Sequence, residues 1–597
     1  MSMRKIYTAG FCCIVIFLFL LSPGCRKNDT VSGDTPPSPP DLVTTINSSV
    51  SGFVTDENNK AVWGASVSVG GVTLLTDKYG YFEANSVTVV KDAATVTVSR
   101  NGYFKAIKTY IAKDGKKAFF RIKLIPRIIA GSFTSGTGGT VTLPSGLSVQ
   151  LPANAVVNAA TNAAYSGTVN VAAYWLDPTS KELSRIMPGD LRGINTDGNA
   201  QLLTTYGMAA VQLTGSGGEA LQVAPGKTAT LSIPIPSAIS ANAPATIPLW
   251  YFDESKGLWK QEGSATKTGS TYSGAVSHFS FWNYDVPANF VQLDCTVVTA
   301  GGQPVPDAWV KIYDQNNPYS FGSGYTNAAG YVNGAVPKNA QLVLEVYSNI
   351  NCGTVAYTQT VSTGTTNISL GNIVITNTTA VATVSGRVVN CSNNPVSDGY
   401  VILQRNDGIT RVPLGSTGTY SLNVLLCGSN TITLTAEDAA NSQQSNATNF
   451  TLTPGSNSLP DIQACGTSTT EFLDYIINGT MYHHALPSDS IMLTPTLSGT
   501  TLIVGSKKPI TNIATALFDM NRAGIAMGSQ QGVTRIYCEP LIPTTIPPAS
   551  TSVTITEYGS IGQFVSGNFS CTVTTTPPGG PSVTYTVVCY FRVKRSV

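Results

Sequence analysis

Val50-Ser51-Gly52-Phe53-Val54-Thr55-Asp56, then Val62-Trp63-Gly64-Ala65-Ser66-Val67-Ser68-Val69, then Leu75-Thr76-Asp77-Lys78-Tyr79-Gly80-Tyr81-Phe82: these three runs decide the fold. Apolar and polar residues alternate along each, the period-two signature of a strand with one buried face. Asp and Gly stand at the ends of the runs, where tight turns need them. The unit recurs twice. One copy reads Cys295-Thr296-Val297-Val298, Pro304-Val305-Pro306-Asp307-Ala308-Trp309-Val310-Lys311-Ile312 and Thr326-Asn327-Ala328-Ala329-Gly330-Tyr331-Val332. The other reads Val384-Ser385-Gly386-Arg387-Val388-Val389, Pro395-Val396-Ser397-Asp398-Gly399-Tyr400-Val401-Ile402 and Ser416-Thr417-Gly418-Thr419-Tyr420-Ser421. Asn327 stands where the first copy has Asp77, and the last copy has no acid there. Asp77 is read as a turn former bonding nearby backbone, in preference to a calcium ligand.

Composition extends this reading to the whole chain. Only 11% of its 597 residues are charged, 42% are hydrophobic, and 56 are Gly. Such a chain favours many short strands and tight turns over helices. The expected fold class is all-β, with tandem β-sandwich modules. A formal net charge of +2 gives no broad basic surface, so nucleic acid is not an expected partner.

The N-terminus carries Arg4 and Lys5, then an apolar run from Phe11 to Leu21. That run is too short to span a bilayer, which takes about 20 apolar residues, and it fits a secretory signal peptide. It ends Leu21-Ser22-Pro23-Gly24-Cys25, which resembles the lipobox of bacterial lipoproteins. The resemblance implies lipid on Cys25, a mature chain starting there, and a membrane partner reached through that lipid. Arg26 stands where an aspartate often resembles an inner-membrane retention signal, so an outer-membrane, surface-exposed location is expected. Pro36-Pro37-Ser38-Pro39-Pro40 makes the following stretch an extended spacer.

The expected organisation is a signal peptide at 1–24, the lipidated Cys25 and a tether over 25–47, and five folded units. The first copy of the repeat, 48–127, resembles the carboxypeptidase regulatory-like domain, a transthyretin-like β-sandwich. Looser copies occupy 288–376 and 377–466. A C-terminal sandwich or small barrel fills 467–597. Its last strand, Val583 to Lys594, puts Val583, Tyr585, Val587, Cys589, Phe591 and Val593 on one apolar face, with Arg592 and Lys594 opposite on what reads as an edge.

Segment 128–287 differs. It opens with a Gly-rich strand running into Leu151-Pro152-Ala153-Asn154-Ala155 and closes on His278-Phe279-Ser280-Phe281-Trp282. This resembles ZU5-type β domains, some of which cleave themselves at a His-Phe-Ser triplet. The resemblance implies attack by the Ser280 hydroxyl on the Phe279 carbonyl, with His278 as base. The plainer reading, preferred here, is an aromatic strand with Phe279 and Phe281 on one face and His278, Ser280 and Trp282 on the other.

Little else argues for catalysis. The three histidines are His278, His483 and His484. The last two are adjacent, so on a strand they face apart and cannot chelate together. There is no GxSxG, HExxH or P-loop, so no metal, cofactor or catalytic residue is assigned. Of the 11 cysteines, Cys12 and Cys13 leave with the signal and Cys25 takes lipid. The remaining even number, in an oxidising compartment, favours disulfides. Cys571 and Cys589 lie symmetrically about Gly580 in a Pro-Gly turn, so a hairpin closing there would pair them. Cys295, Cys352, Cys391, Cys427, Cys465 and Cys538 are left unassigned.

The function expected is therefore non-enzymatic: a cell-surface lipoprotein for adhesion, scaffolding or binding of a glycan or protein, its modules in series on a tether. The alternatives are a surface protein processing itself between Phe279 and Ser280, and an accessory substrate-binding subunit of an envelope enzyme system.

Overall fold

The computed structural model describes residues 39–467 except 406–407, 429 and 442, and between 471 and 594 the strands rather than most of the turns joining them. The regular structure of the described residues is nearly all strand, as the composition predicts. The signal-like segment and Cys25 lie outside the described residues.

The first module consists of β1 (Thr45–Thr55), β2 (Ser66–Val69), β3 (Val72–Leu75), β4 (Tyr81–Val90), β5 (Ala94–Ser99), β6 (Ala106–Tyr110) and β7 (Lys117–Lys123). β1 lies between antiparallel β4 and parallel β7, and β3, β2, β5 and β6 form the second sheet. Val50, Val54, Val67, Phe82, Val96 and Ile122 fill the space between the sheets. This is the sandwich that the alternation predicts, because inward-facing residues of both sheets supply one core.

The two later copies repeat this topology. In one, Phe290–Thr299 lies between antiparallel Tyr331–Pro337 and parallel Ile368–Ile375. Facing it is a sheet ordered Asn317–Tyr325, Trp309–Asp314, Gln341–Tyr347, Val355–Ser362. In the other, Val381–Val389 lies between antiparallel Thr419–Leu425 and parallel Gly455–Ser458.

The hairpin signature has a single physical cause in all three copies. Gly80, Gly330 and Gly418 have φ of +72°, +72° and +75°, a left-handed conformation that only glycine adopts freely. Each carbonyl accepts a 2.8 Å hydrogen bond from the N–H of Val54, Val297 or Val388 on the module's first strand. A Cβ on Gly80 or Gly330 would lie 2.3 Å from that valine's carbonyl oxygen, and one on Gly418 2.5 Å from it. Asp77 Oδ1 accepts from the N–H groups of Tyr79 and Tyr81, and Asn327 Oδ1 from those of Ala329 and Tyr331. An amide oxygen does this as well as a carboxylate, which explains why the second copy can dispense with the acid.

Between the first and second copies lies a sheet of thirteen strands. Its strand Phe281–Ala288 is central, paired with Ala200–Gly215 on one side and Thr246–Asp253 on the other. In the C-terminal region ten strands form a sheet, and Leu473, Tyr475, Phe518, Ile536, Phe569 and Phe591 build its core. Val583–Lys594 is hydrogen-bonded on both sides, to Phe472–Ile477 and to Phe564–Thr575. It is not the edge strand expected, and the Arg592 guanidinium lies 3.7 Å over the Phe564 ring.

The modules are not strung out in series as the tandem sequence suggests. The first packs on all the others. Phe104, Ile107 and Ile125 of that module share a hydrophobic core with Leu203, Trp250 and Phe281 of the thirteen-stranded unit. Toward the C-terminal domain, Trp63 lies 3.8 Å from Phe472 between ring centroids, and the Arg100 guanidinium lies 3.5 Å over the Tyr590 ring, facing Asp474.

Candidate functional site

The His-Phe-Ser triplet occupies a bend that precedes the central strand. The bend breaks the expected alternation. Phe279 packs with Trp282 and Tyr284 in one core, whereas Phe281 faces the other core with Trp250 and Trp259. Gln222 straddles Phe279: its Oε1 accepts from the Phe279 N–H at 2.7 Å, and its Nε2 donates to the Phe279 carbonyl at 3.1 Å. The His278 ring meets Tyr251 edge-on and lies tilted beside Trp282, and burial holds its pKa below the ordinary histidine value. The Ser280 hydroxyl donates to the carbonyl of Phe281, 3.1 Å away. The Ser280 hydroxyl is thus directed to the Phe281 carbonyl and not to the His278 ring. The denatured full chain should give a single mass. Two fragments dividing between Phe279 and Ser280 would refute this reading.

The structure contains the disulfides Cys352–Cys427 and Cys391–Cys465. The first ties the second repeat copy to the third, and the second closes the third copy on itself. The expected Cys571–Cys589 bridge is not formed. The hairpin register pairs Cys571 with Val587 and Cys589 with Phe569, two residues away from symmetry about Gly580. Both side chains face the same core as Cys538, and burial pushes the Cys538 and Cys589 thiols well above their ordinary pKa. Cys295 is buried in the second copy, its thiol pushed up to about 12. His484 lies beside Tyr475, ring centroids 5.4 Å apart. Among the described residues, no three His, Cys, Asp or Glu side chains are grouped to hold a metal.

Two features that the sequence reading missed lie where modules meet. At the first, Asp307 joins three modules. Its carboxylate accepts from Arg121 Nε at 2.7 Å, from Arg121 Nη2, and from Thr410 Oγ1 at 2.9 Å. Arg405 Nη2 lies 4.0 Å away. Arg121 Nη2 also donates to the Ile409 carbonyl. Arg121 and Asp307 are both buried. Nearby, Lys78 and the Tyr79 hydroxyl reach Glu437, and Arg411 lies over the rings of Tyr81 and Tyr400.

The second feature is a cavity of about 490 Å³. Its walls come from β6 and β7, from the loop carrying the short helix Leu183–Ile186, and from the second repeat copy. Leu293, Val310, Ile312, Leu342 and Leu344 line it from the inner faces of that copy's two sheets. Lys108, only 2% exposed, lines it from β6. Its ammonium donates to the carbonyls of Ser184 at 2.8 Å and Met187 at 2.5 Å. Burial, with Arg185 nearby, lowers the Lys108 pKa to about 7.

No family model matches the chain. A stretch of 108 residues, 18% of this chain, is 32% identical to human cartilage intermediate layer protein 2 and covers 9% of that protein's length. Among solved structures, the chain is similar to the shaft pilin SpaA of Lactobacillus rhamnosus GG (13% identity, TM-score 0.17, 30% of this chain and 97% of that one). It is also similar to the Bacillus anthracis TIE protein (9% identity, TM-score 0.15, 71% of this chain and 51% of that one). The minor pilin GBS52 of Streptococcus agalactiae is a further similar structure (11% identity, TM-score 0.14, 30% of this chain and 97% of that one).

Proposed function

We propose that this chain is an outer-membrane lipoprotein, held by lipid on Cys25, that serves as a non-enzymatic surface scaffold for adhesion. The observation that carries the scaffold reading is the packing of the first module on every other folded unit, through a shared core and buried charged groups. Such a body resists domain motion, which a presenting scaffold needs and a clamp or transporter does not. Two disulfides favour an oxidising compartment outside the cytoplasm. The Pro-rich segment after Cys25 supplies the spacer between lipid and body.

In the native host, Cys25→Ala is expected to move the protein from the membrane to the soluble fraction. The wild-type mature chain should begin at Cys25 and carry the mass of its acyl groups. Protease added to intact cells should remove the wild type. A mature terminus elsewhere would sink the anchor, and protection from external protease would sink the surface location. Beads coated with the folded domains should be retained by envelope glycan or by cells, and failure to be retained would count against adhesion.

A further inference from the structure

We propose that the 490 Å³ cavity is a binding site for a long-chain carboxylate, its tail between the two sheets of the second repeat copy and its head group on the Lys108 ammonium. The inference goes beyond the scaffold role and does not depend on where the protein is anchored.

The apolar end is an opening into a sandwich interior. Leu293 lies on one sheet of that copy, Val310, Ile312, Leu342 and Leu344 on the other, and all five side chains border the cavity. In a closed sandwich these faces interdigitate. Here the space between them continues toward the first module and the Leu183–Ile186 loop, so an acyl chain could exchange water for aliphatic walls.

Charge at the other end selects the head group. Buried cations are normally paired with a carboxylate. Lys108 has none within ion-pair distance among the described residues, and its neighbour Arg185 adds like charge. The other basic residues lining the cavity are compensated, Arg121 by Asp307 and Lys117 by Glu83, and the Asp190 carboxylate on its wall is paired with Arg192. Lys108 is the buried basic group left without a counter-charge, and an anion beside it favours its ammonium form. An ammonium has three donors, and the carbonyls of Ser184 and Met187 take two. The third is free for an anion. Gln292, also on the cavity wall, has a buried amide nitrogen with no hydrogen-bond partner, a second donor for an oxygen-rich head. A carboxylate with an aliphatic tail satisfies both ends. A neutral amphiphile leaves Lys108 uncompensated, and a free anion leaves the apolar walls wet.

The test is displacement of cis-parinaric acid, a fluorescent fatty acid, from the delipidated full chain. Palmitate should displace it, and hexadecanol, with the same tail, should do so about tenfold more weakly or worse, the usual scale for losing a charge-assisted hydrogen bond. In Lys108→Met that preference should vanish. In Ile312→Trp, which fills the apolar end, affinity for both should fall while the melting temperature stays near wild type. The proposal is overturned if parinarate does not bind the wild type, if acid and alcohol compete equally, or if neither substitution alters binding. Should Lys108→Met fail to fold, the acid–alcohol comparison and Ile312→Trp still decide.

Discussion

Asp307→Ala is expected to cost about 3–5 kcal/mol of folding stability, the usual penalty for removing one partner of a buried ion pair. Alanine removes the carboxylate facing the buried Arg121 guanidinium, which keeps its bond to the Ile409 carbonyl but loses its counter-charge at this node. It also removes the acceptor of Thr410 and leaves Arg405 without the nearby carboxylate. The φ of Asp307 is +61°, a conformation that Asp and Asn tolerate better than Ala, and this adds strain. Because the three groups come from three modules, the loss should also appear as lost cooperativity. Calorimetry should resolve the first repeat copy melting apart from the other two. Asp307→Asn, which keeps the backbone preference, should fall between wild type and alanine. The double variant Arg121→Met/Asp307→Ala should recover part of the loss, since it removes the buried charge whose carboxylate is gone. A cost below about 1 kcal/mol, or no recovery in the double variant, would show that the node does not hold the modules together.

Gly330→Ala is expected to destabilise the second repeat copy by about 2–3 kcal/mol. The left-handed φ costs an L-residue about 1–2 kcal/mol. The added methyl would meet the Val297 carbonyl and weaken the Val297–Gly330 hydrogen bond, worth about 1 kcal/mol. Gly334, four residues on, is the control: its φ is not positive, and a Cβ there meets nothing within 4 Å. Gly334→Ala should be near neutral. Gly80→Ala and Gly418→Ala should behave like Gly330→Ala if the three copies share one design. Denaturant unfolding of the single variants measures this, and equal effects at Gly330 and Gly334 would refute the argument.

The contrast between these sites shows what the sequence could reveal. Gly80, Gly330 and Gly418 stand at one place in a repeated local pattern, and a local pattern is what sequence displays. Asp307 lies within the repeated run, where the other copies have Gly64 and Asp398, but its bond to Arg121 is not part of that repeat, and Arg121, Lys108 and Arg100 stand in no pattern. Each looks like an ordinary surface charge until the modules dock, because their partners lie in other modules, hundreds of residues away in the case of Arg100 and Asp474. The cavity was hidden for the same reason, its walls coming from three units. Cys571 and Cys589 show a subtler failure. The hairpin and its cysteines were recognisable, but a register two residues from symmetry moves the pair onto a diagonal, and turn residues alone do not set that register. At His278-Phe279-Ser280 the alternation of residue types suggested a strand, whereas the backbone bends and Gln222 holds it, a contact made across 57 residues.

The place of β1 has a mechanical consequence. It is the first strand after the spacer and lies between two neighbours, β4 antiparallel and β7 parallel. Hydrogen bonds between strands run largely across the strand axis, so tension applied at the N-terminal end of β1 loads both ladders in shear, many bonds at once, instead of peeling them singly. If the chain is held at Cys25 as proposed, the module that takes the load is the one packed on every other unit, and drag on any of them would converge on β1.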